Sequence, residues 1–168
     1  MPQLRTDIVD VYVFRRLLEH EASSHVEFLQ MKRATGALIG TWQPVMGHVV
    51  EGETATKTAV RELQEETGYI AKNGTDSKVL GMWQLEEVNT YFLASHDAVV
   101  LSPCFAVEVR ACNEPVLNKE HDAARWVHQD EVPRQFVWPG QRQAIAGIFR
   151  DLLAEYAPMR ETLRIGLL

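Results

Sequence analysis

The residues most able to do chemistry lie between Gly47 and Gly68. Glu62, Glu65 and Glu66 fall within two turns of a segment patterned as a helix. At about 100° per residue, Glu62 and Glu66 lie about 40° apart, with Glu65 about 60° to the other side of Glu62. Like charges at i,i+3 and i,i+4 repel, so a cation is needed to make this face favourable. Mg²⁺ suits it, being a hard ion that takes oxygen ligands, keeps several waters and is commonly shared between carboxylates and phosphates. Arg61, four residues before Glu65, can pair with one carboxylate while the others face a metal. Three glutamates on a helix more often form a solvated face, so the triplet alone does not decide the matter. The preceding loop, Gly47-His48-Val49-Val50-Glu51-Gly52-Glu53, weighs against that reading. Its glycines can turn backbone groups toward an ion or a phosphate, and Glu53 is placed to accept hydrogen bonds from the free amides of the helix start.

These residues need elements to hold them. Thr54 to Thr67 reads as an amphipathic helix with Thr54 capping its start, an apolar stripe of Ala55, Ala59, Val60 and Leu63, and Gly68 as a left-handed stop. Strands are expected at Ile8 to Phe14, Val26 to Met31, Trp42 to Met46, Val79 to Leu85, Val88 to Leu93, Val99 to Val109 and, shorter, Arg125 to Val127. Loops are expected around Glu19 to Ser24 and Thr35 to Gly40. A second amphipathic helix is read over Gln141 to Tyr156, with Ile145, Ile148, Phe149 and Leu152 inward, and a disordered end over Met159 to Leu168. Strands, helix, strands, helix implies an α/β fold with a mixed sheet between helices. No linker or repeat divides residues 1–168, so one domain with a core of about 5–157 is expected.

Composition narrows the function. A net charge of −6 argues against an extended nucleic-acid surface while allowing a local cationic pocket. With no apolar run of about 18 residues and no leader-like N-terminus, a soluble cytoplasmic protein with no membrane association is expected. Cys104 and Cys112 lack metal-site or disulfide-framework spacing and read as buried free thiols.

Gly47, Glu53, Arg61-Glu62-Leu63, Glu65-Glu66 and Gly68 together resemble the signature of the Nudix hydrolases. Only the last position departs, with Tyr69 where an aliphatic residue is usual. The resemblance implies the family's α/β/α sandwich and metal-assisted cleavage of a phosphoanhydride bond. It implies Glu62 and Glu66 as principal Mg²⁺ ligands, with Mn²⁺ as a substitute, and Glu65 as a third ligand or the general base. The carbonyl of Gly47 would be a further ligand, and Glu53 and Arg61 would give support. Many members add a late carboxylate. Glu120, in Asn118 to Val127, is the candidate as ligand or base, and Asp122 is its competitor. His48 and His121 sit close to these segments, although loop histidines are more often structural.

The substrate is expected to be a small phosphorylated molecule. Lys32 and Arg33, at the end of the second strand, could meet phosphates, and Trp42 could stack on a base, as could Trp83, Tyr91, Phe92 or Trp138. Stretches Trp42 to Val45, Glu120 to Val127 and Trp138 to Ile145 resemble the dihydroneopterin triphosphate and deoxynucleoside triphosphate pyrophosphohydrolase branch. The proline usual in ADP-ribose pyrophosphatases is missing, as is the tyrosine usual in dinucleoside polyphosphate hydrolases. Hydrolysis of a nucleoside triphosphate or dihydroneopterin triphosphate to monophosphate and pyrophosphate is therefore expected. The alternatives are another nucleoside diphosphate derivative of nucleotide-sugar type, or a nucleotide sensor without catalysis, which would not need all four box carboxylates. Apolar edge strands are compatible with a homodimer.

Overall fold

The side-chain alternation of one strand sets the architecture. In β2 (Ile8–Leu18), Val9, Val11 and Val13 pack with Ala59 and Leu63 of helix α1 (Ala55–Thr67). Tyr12 and Phe14, on the other face, pack with Ala144, Ile145 and Ile148 of helix α3 (Pro139–Ile148). A strand buried on both faces reads as a nearly continuous apolar run, and β2 does. The computed structural model describes residues 1–18, 24–36, 38–72 and 77–166.

The remaining strands are β1 (Gln3–Arg5), β3 (Ser24–Arg33), β4 (Trp42–Gln43), β5 (Val45–His48), β6 (Val79–Leu93), β7 (Ala98–Val109) and β8 (His121–His128), and a short helix α2 (Val132–Gln135) lies between β8 and α3. With β2 they form, among the described residues, one mixed eight-stranded sheet. β1 and β2 run parallel to β7 and the other pairings are antiparallel. The sheet forks at β2. Ile8 to Val11 pair with β5, whereas Phe14 to Leu18 pair with β3, which carries β4 at Met31 and Lys32 and β8 along Glu27 to Arg33. Pro44, which has no N–H to give a ladder, falls where the chain leaves β3 for β2. The α/β/α sandwich with a mixed sheet is therefore as the pattern implied.

Several boundaries differ. The two strands read over 79–93 are one, because a register shift between Gln84 and Val88 sets Leu85, Glu86 and Glu87 opposite the single residue Cys104. The strand read over Trp42 to Met46 is divided at Pro44 and runs on to His48. β8 is longer than Arg125 to Val127 and starts at His121, directly after Glu120. The second helix starts at Pro139, and after Ile148 it continues as a π-helical turn over Phe149–Leu153, so residues 154–156 lie outside it. Ser24 belongs to β3, and the rest of the loop expected at 19–24 lies outside the described residues.

The end expected to be disordered is the largest correction over residues 159–166, residues 167–168 lying outside the described ones. Leu163 is buried among Trp83, Leu85 and their neighbours, Gln84 N–H donates to its carbonyl at 3.0 Å, and Ile165 N–H donates to Met82 O at 2.8 Å. The thiols also differ from expectation: Cys104 is buried, but Cys112 is exposed. No helix among the described residues is long and apolar enough to cross a membrane.

Candidate active site

Helix α1 is fixed at both ends. Thr54 Oγ1 accepts from Lys57 N–H at 3.3 Å, and Gly68, at φ 69°, lets its N–H reach Gln64 O, a left-handed stop that favours glycine. The helix buries Ala59 and Leu63 against β2, which places Glu62 and Glu66 along β5. Gly47, buried in β5 opposite Val9, is where they meet the strand. A Cβ at Gly47 would overlap Cγ, Cδ and Oε1 of Glu62. Glycine is therefore required for clearance, so that the Glu62 side chain can lie across the strand.

Arg61 organises the carboxylates. Its guanidinium donates to Glu53 Oε1 at 3.0 Å, to Glu62 Oε1 at 2.6 Å, to Glu65 Oε2 at 3.2 Å and to the His48 carbonyl at 3.0 Å. Glu65 was expected to be its partner, but Glu62 is held more closely. Glu53 accepts from Arg61 and from the Thr58 hydroxyl at 2.8 Å, so these side-chain donors take the place of the helix-start amides expected for it. Those hydrogen bonds hold Glu53 below its ordinary pKa, Arg61 first and Thr58 second.

Glu66 is the outlier. It is 2% exposed, and its Oε2 has no hydrogen-bond partner. Burial, then the charges of Glu62 and Glu120, push its pKa up to about 8, against a backbone hydrogen bond at Met46 and the charge of Arg33. Glu62 is also raised, by burial first, with Arg61 opposing and Glu65 and Glu120 adding. Glu120 comes from a third segment. Its N–H donates to Asn118 Oδ1 at 3.0 Å and its carbonyl accepts from Ala34 at 2.8 Å, which ties it to the end of β3. Loop 47–53, helix α1 and the start of β8 thus converge on one electrostatic site. Glu65 is the exposed member of the group.

A buried carboxyl with an unused oxygen, beside two more carboxylates that raise its pKa, fits a hard divalent cation, which would hold it in the ionised, acceptor-only form. Glu62, Glu66 and Glu120 are the residues that could hold one. Among the described residues, no three His, Cys, Asp or Glu side chains are already gathered as a ligand set, and Glu62 is engaged by Arg61.

The other expected residues are dispersed. Asp122 is exposed, and its charge bears on His121. His121 is buried with both ring nitrogens unpartnered, and burial followed by Arg33 lowers its pKa. His48 is exposed, 3.5 Å from Asp7. Lys32 stands in register with Trp42 on the α3 side of β3, while Arg33 acts on Glu66 from the α1 side. Trp83 is core, whereas Tyr91, Phe92 and Trp138 are exposed. Arg125 has no sequence signal that marks it. Its guanidinium carbon lies 4.1 Å from the Trp42 ring centroid, a contact that depends on strand register and leaves no local pattern.

Comparison with known proteins bears on the family and the fold. Residues 8–148 match the model of the NUDIX domain. The chain is 35% identical over 123 residues to a bis(5'-nucleosyl)-tetraphosphatase [asymmetrical] of Sus scrofa, covering 70% of this chain and 74% of that protein. It is 28% identical over 135 residues to an RNA pyrophosphohydrolase of Erythrobacter litoralis, covering 68% and 77%. In fold it is similar to a C. elegans Ap4A hydrolase binary complex (TM-score 0.65, 17% identity, 85% of this chain and 94% of that one). It is also similar to a Listeria monocytogenes NUDIX hydrolase structure (TM-score 0.66, 21% identity, 97% and 100%).

Proposed function

The chain belongs to the NUDIX family of hydrolases, and we propose that it splits the polyphosphate bridge of a dinucleoside polyphosphate asymmetrically, with a divalent cation bound at Glu62, Glu66 and Glu120. One observation carries the site: the buried, unpartnered Glu66 oxygen beside two further carboxylates. The substrate class rests on the names of relatives, among them the Sus scrofa tetraphosphatase, and outweighs the absent tyrosine that favoured a triphosphate. A nucleoside triphosphate or dihydroneopterin triphosphate is the second reading, supported by the stretches Glu120 to Val127 and Trp138 to Ile145.

Mg²⁺, or Mn²⁺ in its place, would offset phosphate charge and lower the pKa of a water. The protein's own groups do the rest. Arg61, itself held by Glu53, keeps Glu62 and Glu65 in place, and the Gly47 carbonyl is a further candidate ligand. Glu65, exposed and held by Arg61 only at 3.2 Å, is free enough to take a proton from an attacking water, and Glu120 is the other candidate base. Lys32 and Arg33 offer cations to phosphates, and Trp42 offers an aromatic surface.

Incubation with diadenosine tetraphosphate, dATP or dihydroneopterin triphosphate and Mg²⁺, with products identified by mass spectrometry, tests the reading. ATP with AMP from the first supports it, and pyrophosphate with a monophosphate from the others supports the second reading. Glu66→Gln should abolish turnover in either case. Retained turnover would remove Glu66 from the site, and no hydrolysis of any of the three with Mg²⁺ or Mn²⁺ would refute both substrate readings.

A further inference from the structure

The face of the sheet away from α1 carries a guanidinium built into place. Gln30 is fully buried, and its Nε2 donates to Gln135 O, at the end of α2, at 3.2 Å. That bond fixes which way the amide points, so Oε1 faces β8. There it accepts from both Nε and Nη2 of Arg125, at 3.0 and 2.7 Å. Gln30 and Arg125 are register partners, and the Arg125 side chain crosses β3 to lie against Trp42 on β4. Lys32, in register with Trp42 and Ala123, shares that face.

Every partner of this cation is neutral. Arg15, Arg61 and Arg150 each meet carboxylates, whereas neither Arg125 nor Lys32 has an ion pair among the described residues. A guanidinium carries five N–H donors, and the two given to Gln30 leave the others unclaimed among the described residues. Burial lowers the Arg125 pKa, consistent with a cation that is partly desolvated and uncompensated. A planar fork with spare donors fits two phosphate oxygens side by side.

We propose that Arg125, pinned by Gln30 and backed by Trp42, determines specificity by gripping a substrate phosphate outside the scissile bond. The assignment deepens the phosphoanhydride-hydrolase reading and rests on it. Consecutive residues connect the two faces: Arg33 acts at the carboxylates on the α1 side, and Lys32 stands beside Arg125 and Trp42 on the other. A polyphosphate engaged at the carboxylates can follow the end of β3 onto that face.

The test compares the wild type with R125M, which keeps an apolar stem against Trp42, with R125K, which keeps charge without the fork, and with Q30A, which frees the guanidinium. With diadenosine tetraphosphate and Mg²⁺, R125M should raise KM about 10- to 100-fold, the loss of a hydrogen-bonded charge contact, with kcat within about twofold. R125K should recover little of this, and Q30A should give a smaller rise. Calorimetric titration with inorganic tripolyphosphate and Mg²⁺ reads the grip without turnover. If the wild type binds tripolyphosphate more tightly than R125M but hydrolyses nothing, Arg125 stands and the hydrolase reading falls. If KM and tripolyphosphate affinity are equal in wild type and R125M, or if R125K restores both fully, the fork assignment is overturned. It is overturned equally if R125M and R125K lose kcat in step with melting temperature, since Arg125 would then be structural, or if the wild type binds no tripolyphosphate.

Discussion

Glu66 is penalised for its charge by burial and by two neighbouring carboxylates, and its pKa of about 8 against an ordinary 4.5 states the result. The sign follows from linkage. A carboxyl whose pKa is raised on folding favours the folded state in its neutral form. Its contribution is present in full below the unfolded pKa and is lost as pH rises through the folded one. Between about pH 4.5 and 8, metal-free protein should therefore lose stability through this group. Gln cannot ionise, so Glu66→Gln should melt progressively higher than the wild type as pH rises across that window in chelator. Asp10, buried and raised to about 6 mainly by desolvation, acts in the same direction but is present in both proteins and cancels in the difference. Scanning fluorimetry from pH 5 to 9 reads it, and a difference that stays flat with pH would show that Glu66 ionises normally. The spacing of Glu62, Glu65 and Glu66 was legible in the sequence. The unequal burial that separates Glu66 from Glu65 was not, because helical angle gives the direction of a side chain without saying what covers it.

At the scale of elements, helix α1 was readable because its signals are local: a threonine cap, an apolar stripe and a glycine stop all act within a few residues. The tail was misread for the opposite reason. Residues 159–166 carry arginines, a glutamate and no periodic apolar face, and what orders them is non-local: ladder bonds to Met82 and Gln84 and one leucine placed among Trp83 and Leu85. Leu163 is 1% exposed, so Leu163→Ala should cost about 2–5 kcal/mol, the range for truncating a buried leucine. Urea denaturation would measure it. A loss below about 0.5 kcal/mol, the size expected of a surface change, would mean that the tail does not dock in solution. The same non-local logic explains β8. Arg125 to Val127 showed strand character, but only pairing with β3 extends it back to His121 and puts Glu120 at the mouth of the site.

On the scale of the molecule, the sheet divides the labour. The α1 face holds the carboxylates, the α3 face holds Lys32, Trp42 and Arg125, and the fork at β2 lets β3 serve both. The sequence carried the layer order, since strand and helix periods alternate plainly along it. It could not carry the fork, which depends on one strand exchanging partners midway. A cation held by Glu62, Glu66 and Glu120 would join α1, packed on β5, to the segment that ties β8 to the end of β3, so metal binding should stabilise the whole fold and not the helix alone. At a Mg²⁺ concentration 100 times its Kd the gain is about 2.7 kcal/mol, visible as a rise in melting temperature relative to chelator. Glu66→Gln should remove most of that rise. Arg61→Ala leaves the proposed ligands in place but releases the one it holds, Glu62, so it should shift the Mg²⁺ titration to about 10- to 100-fold higher concentration. If Glu66→Gln keeps the full Mg²⁺ shift, the stabilising ion sits elsewhere. If Arg61→Ala leaves the titration midpoint unmoved, its bonds to Glu53, Glu62 and Glu65 serve the fold of the loop and not the metal.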